Sequence, residues 1–121
     1  EKALGVLAYE PLARGLLTGK YTSLELEFPI TDLRRRDARF FGSRYLRIRT
    51  LVNDLAIVAR RIGTTPAALA LAWVIRQPGV TAAVFGAKRP AQVKQNIEAV
   101  KLLRREKLWQ FMSRVVNSYR G

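Results

Sequence analysis

The 121 residues contain no cysteine and no histidine. Without cysteine there is no disulfide framework, no thiolate nucleophile and no sulfur-ligated metal. Without histidine there is no imidazole base and none of the usual zinc sites, so no metal site is expected. Acidic residues are scarce: 9 Asp and Glu stand against 22 Lys and Arg, a formal charge of +13. No apolar run approaches the ~18–20 residues of a membrane span. No basic start leads into the apolar core of an export signal. The chain therefore reads as cytoplasmic, with no membrane partner.

Hydrophobic residues make up 49% of the chain and the mean hydropathy is −0.04. That composition excludes a disordered polymer. The length fits one segment, residues 1–121, able to hide roughly 65% of its unfolded surface.

The positive charge is uneven. Residues 34–61 hold nine arginines against Asp37 and Asp54, densest at Arg34-Arg35-Arg36-Asp37-Ala38-Arg39. Such a run fits an anionic partner, a solvated face, or a chain that pairs with something acidic. A phosphorylated small molecule is favoured over nucleic acid. Nucleic-acid modules interleave basic patches with exposed stacking aromatics. Phe40, Phe41 and Tyr45 are the residues here that would have to serve.

Leu4-Gly5-Val6-Leu7-Ala8-Tyr9 has the length of a strand buried on both faces, and Glu10-Pro11 ends it. Residues 10–42 show no period and read as one long loop, a length that is usually functional. From about Ser43, Ile48, Leu51, Val52, Leu55, Ala59 and Ile62 recur at helical steps, with Gly63 as the terminator. Thr65-Pro66 restarts a helix that is apolar on nearly every side to Ile75. Val80–Phe85 reads as a second strand. Pro90 opens a helix with Val93, Ile97 and Val100 on one face. A last helix carries Leu108, Phe111, Met112, Val115, Val116 and Tyr119. Strands alternating with helices predict a parallel α/β arrangement. Two strands make no stable sheet alone, so the chain reads as a piece of a larger fold.

The sharpest chemical signal is Gly86-Ala87-Lys88-Arg89-Pro90, between the second strand and a helix. Glycine lets backbone approach an anion, the helix N-terminus offers unpaired N–H groups, and two cations stand at the same point. A phosphate monoester suits that combination; a solvated turn is the plain alternative. Gln92, Gln95 and Asn96 follow, amides able to bond an adenine edge or to serve as ordinary polar residues. Tyr9, at the end of the first strand, can offer a flat face to a ring or sit in the core. Lys20 can reach a pyrophosphate or solvent.

Tyr9-Glu10-Pro11-Leu12-Ala13-Arg14-Gly15-Leu16-Leu17-Thr18-Gly19-Lys20-Tyr21 closely resembles the seventh-strand segment of the aldo-keto reductases. Thr65–Trp73 is similar to that family's seventh barrel helix. Phe85–Ile97 is similar to its eighth strand and NADP-binding turn. The resemblance runs in order from about Leu4 to about Val100. It implies the C-terminal part of a TIM (β/α)8 barrel: strands seven and eight with their helices, plus two extra helices at Ser43–Ile62 and after Glu106.

By that resemblance the cofactor is NADP (NADPH). Tyr9 would stack on the nicotinamide ring. Pro11, Leu12, Ala13, Gly15 and Lys20 would line the pyrophosphate, and Arg34 would cover the adenosine end. Gly86, Lys88 and Arg89 would hold the 2′-phosphate, while Gln92, Gln95 and Asn96 would face the adenosine half. The family's catalytic Tyr, Lys, Asp and His precede the seventh strand, so no catalytic residue is expected here. A whole member would transfer hydride from NADPH to an aldehyde or ketone; this chain alone is expected to be inactive. A dinucleotide-binding half-barrel without turnover is the alternative, and a basic nucleic-acid-binding domain the last. Exposed strand edges imply self-association or pairing with the missing N-terminal part.

Two departures from the family pattern stand out. Glu10 replaces a frequent Ser: either it points away from a pyrophosphate or the site is weakened. Arg89 replaces a Ser before the proline, which removes a helix cap and adds charge.

Overall fold

Two short parallel strands lie side by side, and the helices pack to the flank of that pair. The computed structural model describes residues 3–120. Strand β1 is Leu7–Tyr9 and strand β2 is Ala82–Val84. Leu7 pairs with Ala82, Ala8 with Ala83 and Tyr9 with Val84. Thr81 extends the ladder: its N–H donates to the Val6 carbonyl at 2.8 Å, and its hydroxyl accepts from the Val6 N–H at 2.9 Å. The parallel register requires the chain between the strands to cross over, and helices supply the crossover.

Helix α1 spans Gly42–Ile62. Its stripe buries Tyr45, Val52, Leu55 and Ala59. Gly63 ends it at φ 72°, a left-handed conformation that glycine adopts without steric penalty. Thr64 N–H then donates to the Ala59 carbonyl at 2.9 Å. Helix α2 spans Pro66–Ile75 and meets α1 at 98°. The Thr65 hydroxyl caps it by accepting from Ala68 N–H at 3.1 Å. Ala67 to Ala72 are all buried. The α3 helix (Pro90–Ile97) follows β2. The single turn α4 (Ala99–Leu102) continues it, and α5 (Glu106–Ser118) closes the chain.

The main core joins Leu55 and Ala59 of α1, Leu69 and Leu71 of α2, Leu102 of α4, and Trp109 and Met112 of α5. Trp73 and Trp109 lie 6.4 Å apart across it, and the Trp109 indole N–H donates to the Leu102 carbonyl at 2.9 Å. Arg76 closes one end. Its guanidinium bonds the Leu103 carbonyl at 2.6 Å, pairs with Glu106 at 3.1 Å and covers the Trp109 ring. At the other end the Tyr119 hydroxyl donates to Asp54 at 2.6 Å. That bond raises the phenol's pKa.

Three sequence expectations change. Both strands are shorter than the apolar runs that announce them, and β1 is exposed rather than buried on both faces: Leu7 is 66% exposed and Tyr9 82%. The reason is that the sheet has only these two strands among the described residues, so nothing covers its outer face. In α5 the buried stripe centres on Trp109 and Met112, and Phe111 lies at its edge, 43% exposed. Residues 10–42 do not form a featureless loop. Short 3-10 turns at Ala13–Thr18, Leu33–Arg36 and Ala38–Phe40 organise them around a second small core of Leu16, Phe40 and Tyr45. Phe28 and Tyr21 meet Phe40 edge-on at 5.3 and 5.6 Å, and the Tyr45 hydroxyl donates to the Ser23 carbonyl at 2.7 Å.

Candidate functional site

Because β1 and β2 are parallel and in register, their C-terminal ends open at the same end of the molecule. Tyr9 ends β1, and the Gly86–Pro90 turn follows β2 directly. The segment after Tyr9 turns sharply. Glu10, Ala13 and Arg14 all hold positive φ (50°, 49° and 57°), and Gly15 follows at 91°. Left-handed backbone costs a non-glycine residue about 1 kcal/mol or more and gathers at functional sites. Local bonds hold it here: Ala13 N–H to Glu10 carbonyl at 2.9 Å, and Gly15 N–H to Leu12 carbonyl at 3.0 Å.

Pro11 is buried, and Leu12 packs against the main core. Gly15 is held by its φ of 91°, and a Cβ there would displace the end of the Lys20 side chain, whose Cε and Nζ lie 2.7 and 2.8 Å from that position. Lys20 therefore lies directly over Gly15, with its ammonium 4.9 Å from the Tyr21 ring centre.

Glu10 is the acid that must point away if the site is not to be weakened, and ion pairs hold its carboxylate. Arg14 lies at 2.8 Å and Arg39 at 3.6 Å. The Arg14 hydrogen bond lowers the Glu10 pKa, with a smaller contribution from Arg39. Asp37 completes a four-residue network, 2.6 Å from Arg39 and 3.7 Å from Arg14. The network ties the strand end to the second half of the loop.

A second clamp stands beside it. Asp32 accepts the Arg34 backbone N–H at 2.9 Å and pairs with the Arg34 guanidinium through both carboxylate oxygens. Arg34 also donates to the Tyr21 hydroxyl at 2.6 Å and lies 4.7 Å over the Phe28 ring. The Arg34 bonds pull the Asp32 pKa down to about 2, and the Lys88 ammonium adds a smaller electrostatic lowering. Hydrogen bonds from Arg39 likewise hold Asp37 at about 2.

At the β2 turn, Lys88 and Arg89 are exposed, and no carboxylate pairs with either among the described residues. Gly86 has open space where a Cβ would project. A concavity of about 600 Å³ opens here, lined by Lys88, Arg89, Pro90, Val93, Lys94 and Ile97. Arg89 has no side-chain acceptor, so no N-cap side chain serves the first helical N–H groups. The Gln92 amide oxygen accepts Lys88 N–H at 2.7 Å and Arg89 N–H at 3.1 Å. The expected loss of the N-cap side chain therefore holds; the N3 glutamine instead satisfies two N–H groups ahead of the helix.

The structure therefore brings Tyr9, Pro11, Leu12, Ala13, Gly15, Lys20, Arg34, Gly86, Lys88 and Arg89 to one end of the strand pair. The three amides divide. Gln92 is engaged in the turn, Gln95 is exposed, and Asn96 is buried. None of the three lines the concavity, which opens on the Val93 and Lys94 face of α3. Lys94, Tyr21, Asp32 and the Glu10–Arg14–Asp37–Arg39 network are additions that sequence reasoning missed. The repeated Asp-x-Arg spacing at Asp32–Arg34 and Asp37–Arg39 is the signal that would have found both clamps. Phe40 and Tyr45, candidate stacking aromatics for a nucleic acid, are buried and cannot meet a base.

The arrangement can hold an anion. It offers unpaired cations on a turn and helix N-terminus, an open backbone above glycine, an exposed aromatic face, and an acid already neutralised. These residues fit a phosphorylated dinucleotide. Among the described residues there is no cluster of three acidic side chains to hold a metal.

Residues 1–114 match the aldo/keto reductase family. Aldo-keto reductase YhdN of Bacillus subtilis is 38% identical over 95 residues, 78% of this chain and 28% of that protein. Aldo-keto reductase yakc of Schizosaccharomyces pombe, whose name carries NADP(+), is 32% identical over 102 residues, 84% and 30%. A putative voltage-gated potassium channel subunit beta of the same yeast is 33% identical over 104 residues, 82% and 29%. Among solved structures, the glycerol dehydrogenase AKR11B4 from Gluconobacter oxydans superposes with a TM-score of 0.66 at 33% identity, covering 82% of this chain and 32% of that one. The chain spans less than a third of the length of these relatives.

Proposed function

The chain belongs to the aldo/keto reductase family, and from that premise we propose that it is the C-terminal part of a barrel reductase and holds the phosphorylated half of NADP. In this reading β1 and β2 are the seventh and eighth staves, and α1 and α5 are the two helices outside the barrel repeat. The observation that carries it is the placing of Tyr9 and the Gly86–Pro90 turn, with Lys88 and Arg89 unpaired among the described residues, at the same end of two adjacent parallel strands. The general geometry of (β/α)8 barrels supports the same end: they often bind phosphate with the loops after strands seven and eight and a nearby helix N-terminus.

NADPH bound there would supply hydride to an aldehyde or ketone held by the whole protein. The chain's own residues bind and orient. Lys88 and Arg89 attract the 2′-phosphate, Lys20 and the Pro11–Gly15 backbone flank the pyrophosphate, Arg34 closes over the adenosine end, and Tyr9 faces the ring. The Arg14 and Arg39 guanidiniums keep Glu10 from repelling the phosphates. The open strand edges pair with the preceding staves of the barrel, or with a second copy when those are absent.

Titration calorimetry of the chain with NADP and NAD tests the cradle. NADP should bind more tightly, and Lys88→Glu should weaken NADP by roughly tenfold or more while changing NAD little. Equal binding of both, untouched by Lys88→Glu, overturns it. With NADPH and a simple aldehyde, the chain alone should leave the cofactor reduced; oxidation in step with aldehyde loss refutes the assignment of chemistry to the preceding part of the barrel. The channel-subunit name of one relative supports a second reading, a dinucleotide-binding module without turnover. That reading requires NADP binding to persist while the complete protein also leaves NADPH unoxidised.

A further inference from the structure

Away from the strand ends, the C-terminal half of α1 and the first turns of α5 enclose an open groove of about 590 Å³. Its apolar lining is Val58 and Ile62 from α1 and Leu108 and Phe111 from α5. Phe111 projects at the edge, 43% exposed, in a helix whose other large residues Trp109 and Met112 are buried. Together with Val58, Ile62 and Leu108 it forms a contiguous apolar floor open to solvent.

The rim is predominantly basic. Arg61, Arg105 and Lys107 line it, and none pairs with a carboxylate among the described residues. Glu106, the acid in the lining, is held by Arg76 at 3.1 Å. Arg60 and Arg104 are exposed beside these residues in sequence and add to the field.

We propose that this groove docks an acidic amphipathic helix of a partner protein, its apolar side chains against Val58, Ile62, Leu108 and Phe111 and its carboxylates against Arg61, Arg105 and Lys107. A helix laid in a groove is a common mode of peptide recognition, and like-charged rims select the opposite sign on the ligand. Nucleic acid is disfavoured because the floor is mostly aliphatic, with Phe111 as its aromatic ring. A membrane surface is disfavoured because, Phe111 apart, the apolar residues Val58, Ile62 and Leu108 are recessed in a concavity.

The test is calorimetric titration of the 121-residue chain at about 0.15 M salt. The probe is a synthetic peptide of about 15 residues with Leu at helical i, i+3, i+4 and i+7 positions and Glu on the flanks. Saturable one-to-one binding is expected. The Arg61→Glu/Lys107→Glu pair should lower affinity roughly tenfold or more, and so should Phe111→Ser, with the salt dependence reduced only by the former. Arg35→Glu/Arg36→Glu reverses the same charge elsewhere and should leave the affinity unchanged. Far-ultraviolet circular dichroism shows that each variant is folded. If the Arg35/Arg36 pair weakens binding as much as Arg61/Lys107, the attraction is diffuse and the groove proposal falls. Tighter binding of a single-stranded oligonucleotide of equal charge, or of anionic phospholipid vesicles, also overturns it, as does a peptide that does not bind.

Discussion

Strand β1 and helix α2 are both runs of small and branched apolar residues, yet they have opposite fates. Ala67 to Ala72 are buried, while Leu4, Leu7 and Tyr9 are among the most exposed large side chains of the chain. The difference lies in what surrounds each. Helix α2 finds α1, α4 and α5 within the same chain, and all four share one core. Among the described residues β1 has only β2 beside it in the sheet, and it is β2, through Ala83, that reaches the main core. Hydrophobicity states that a segment requires cover; the partners available decide whether it gets any. In the reading proposed above, the remaining staves provide the cover for β1 and β2.

The most forceful way to break this comparison is to truncate one side chain on each side. Leu69→Ala should cost about 2–5 kcal/mol in urea denaturation, because Leu69 is fully buried in the main core. Leu7→Ala should cost less than about 0.5 kcal/mol in this chain. Comparable losses from the two would show that β1 is covered after all. A full-length relative carrying the Leu7 substitution should show a loss near that of the core position, which sharpens the point.

A smaller effect belongs to the helix start. Thr65→Ala should destabilise by about 1 kcal/mol, since it frees the Ala68 N–H at the α2 N-terminus. A loss concentrated in α2 amide exchange, with β1 and β2 unchanged, would confirm that the two regions open separately. Gln92→Ala should act in the same way on α3, by freeing the Lys88 and Arg89 N–H groups, and should loosen the turn that holds the two cations.

The smallest effect is the acid response of the loop. Asp32 and Asp37 sit at about 2, below their ordinary 3.8, because Arg34 and Arg39 hydrogen-bond their charged forms. Depressed carboxylate pKa values stabilise the fold above the ordinary value, and that contribution fades as pH falls from about 4 towards about 2. Proteolysis within residues 10–42 should accelerate over that window before the helical core responds. Asp32→Asn with Asp37→Asn should remove the pH dependence. A loop that resists cleavage equally throughout contradicts the role given to the two clamps.

These contrasts mark what the sequence discloses. The helices were legible because their stripes, Thr65-Pro66 start and Gly63 stop are local, and local chemistry decides them. The end-on meeting of Tyr9 and the Gly86–Pro90 turn was legible through parallel topology. The loop was not. Tyr21, Phe28, Phe40 and Tyr45 have no common period, so their shared core exists only in three dimensions. Asn96 shows the opposite failure. An amide on a helix reads as a ligand contact, but its place beside the core buries it. Strand exposure was illegible for a further reason, since it depends on what lies beside the strands rather than on the strands themselves.

Trp73 and Trp109 are the two tryptophans of the chain, and they stand 6.4 Å apart between α2 and α5. Intrinsic emission excited at the indole band therefore reports the helical core, together with Ala83 of β2 and Phe85 just after it, which pack on that core. A preparation with β1 alone detached would glow much as a native one does, so tryptophan emission can follow Leu69→Ala but responds little to Leu7→Ala and to whatever joins β1.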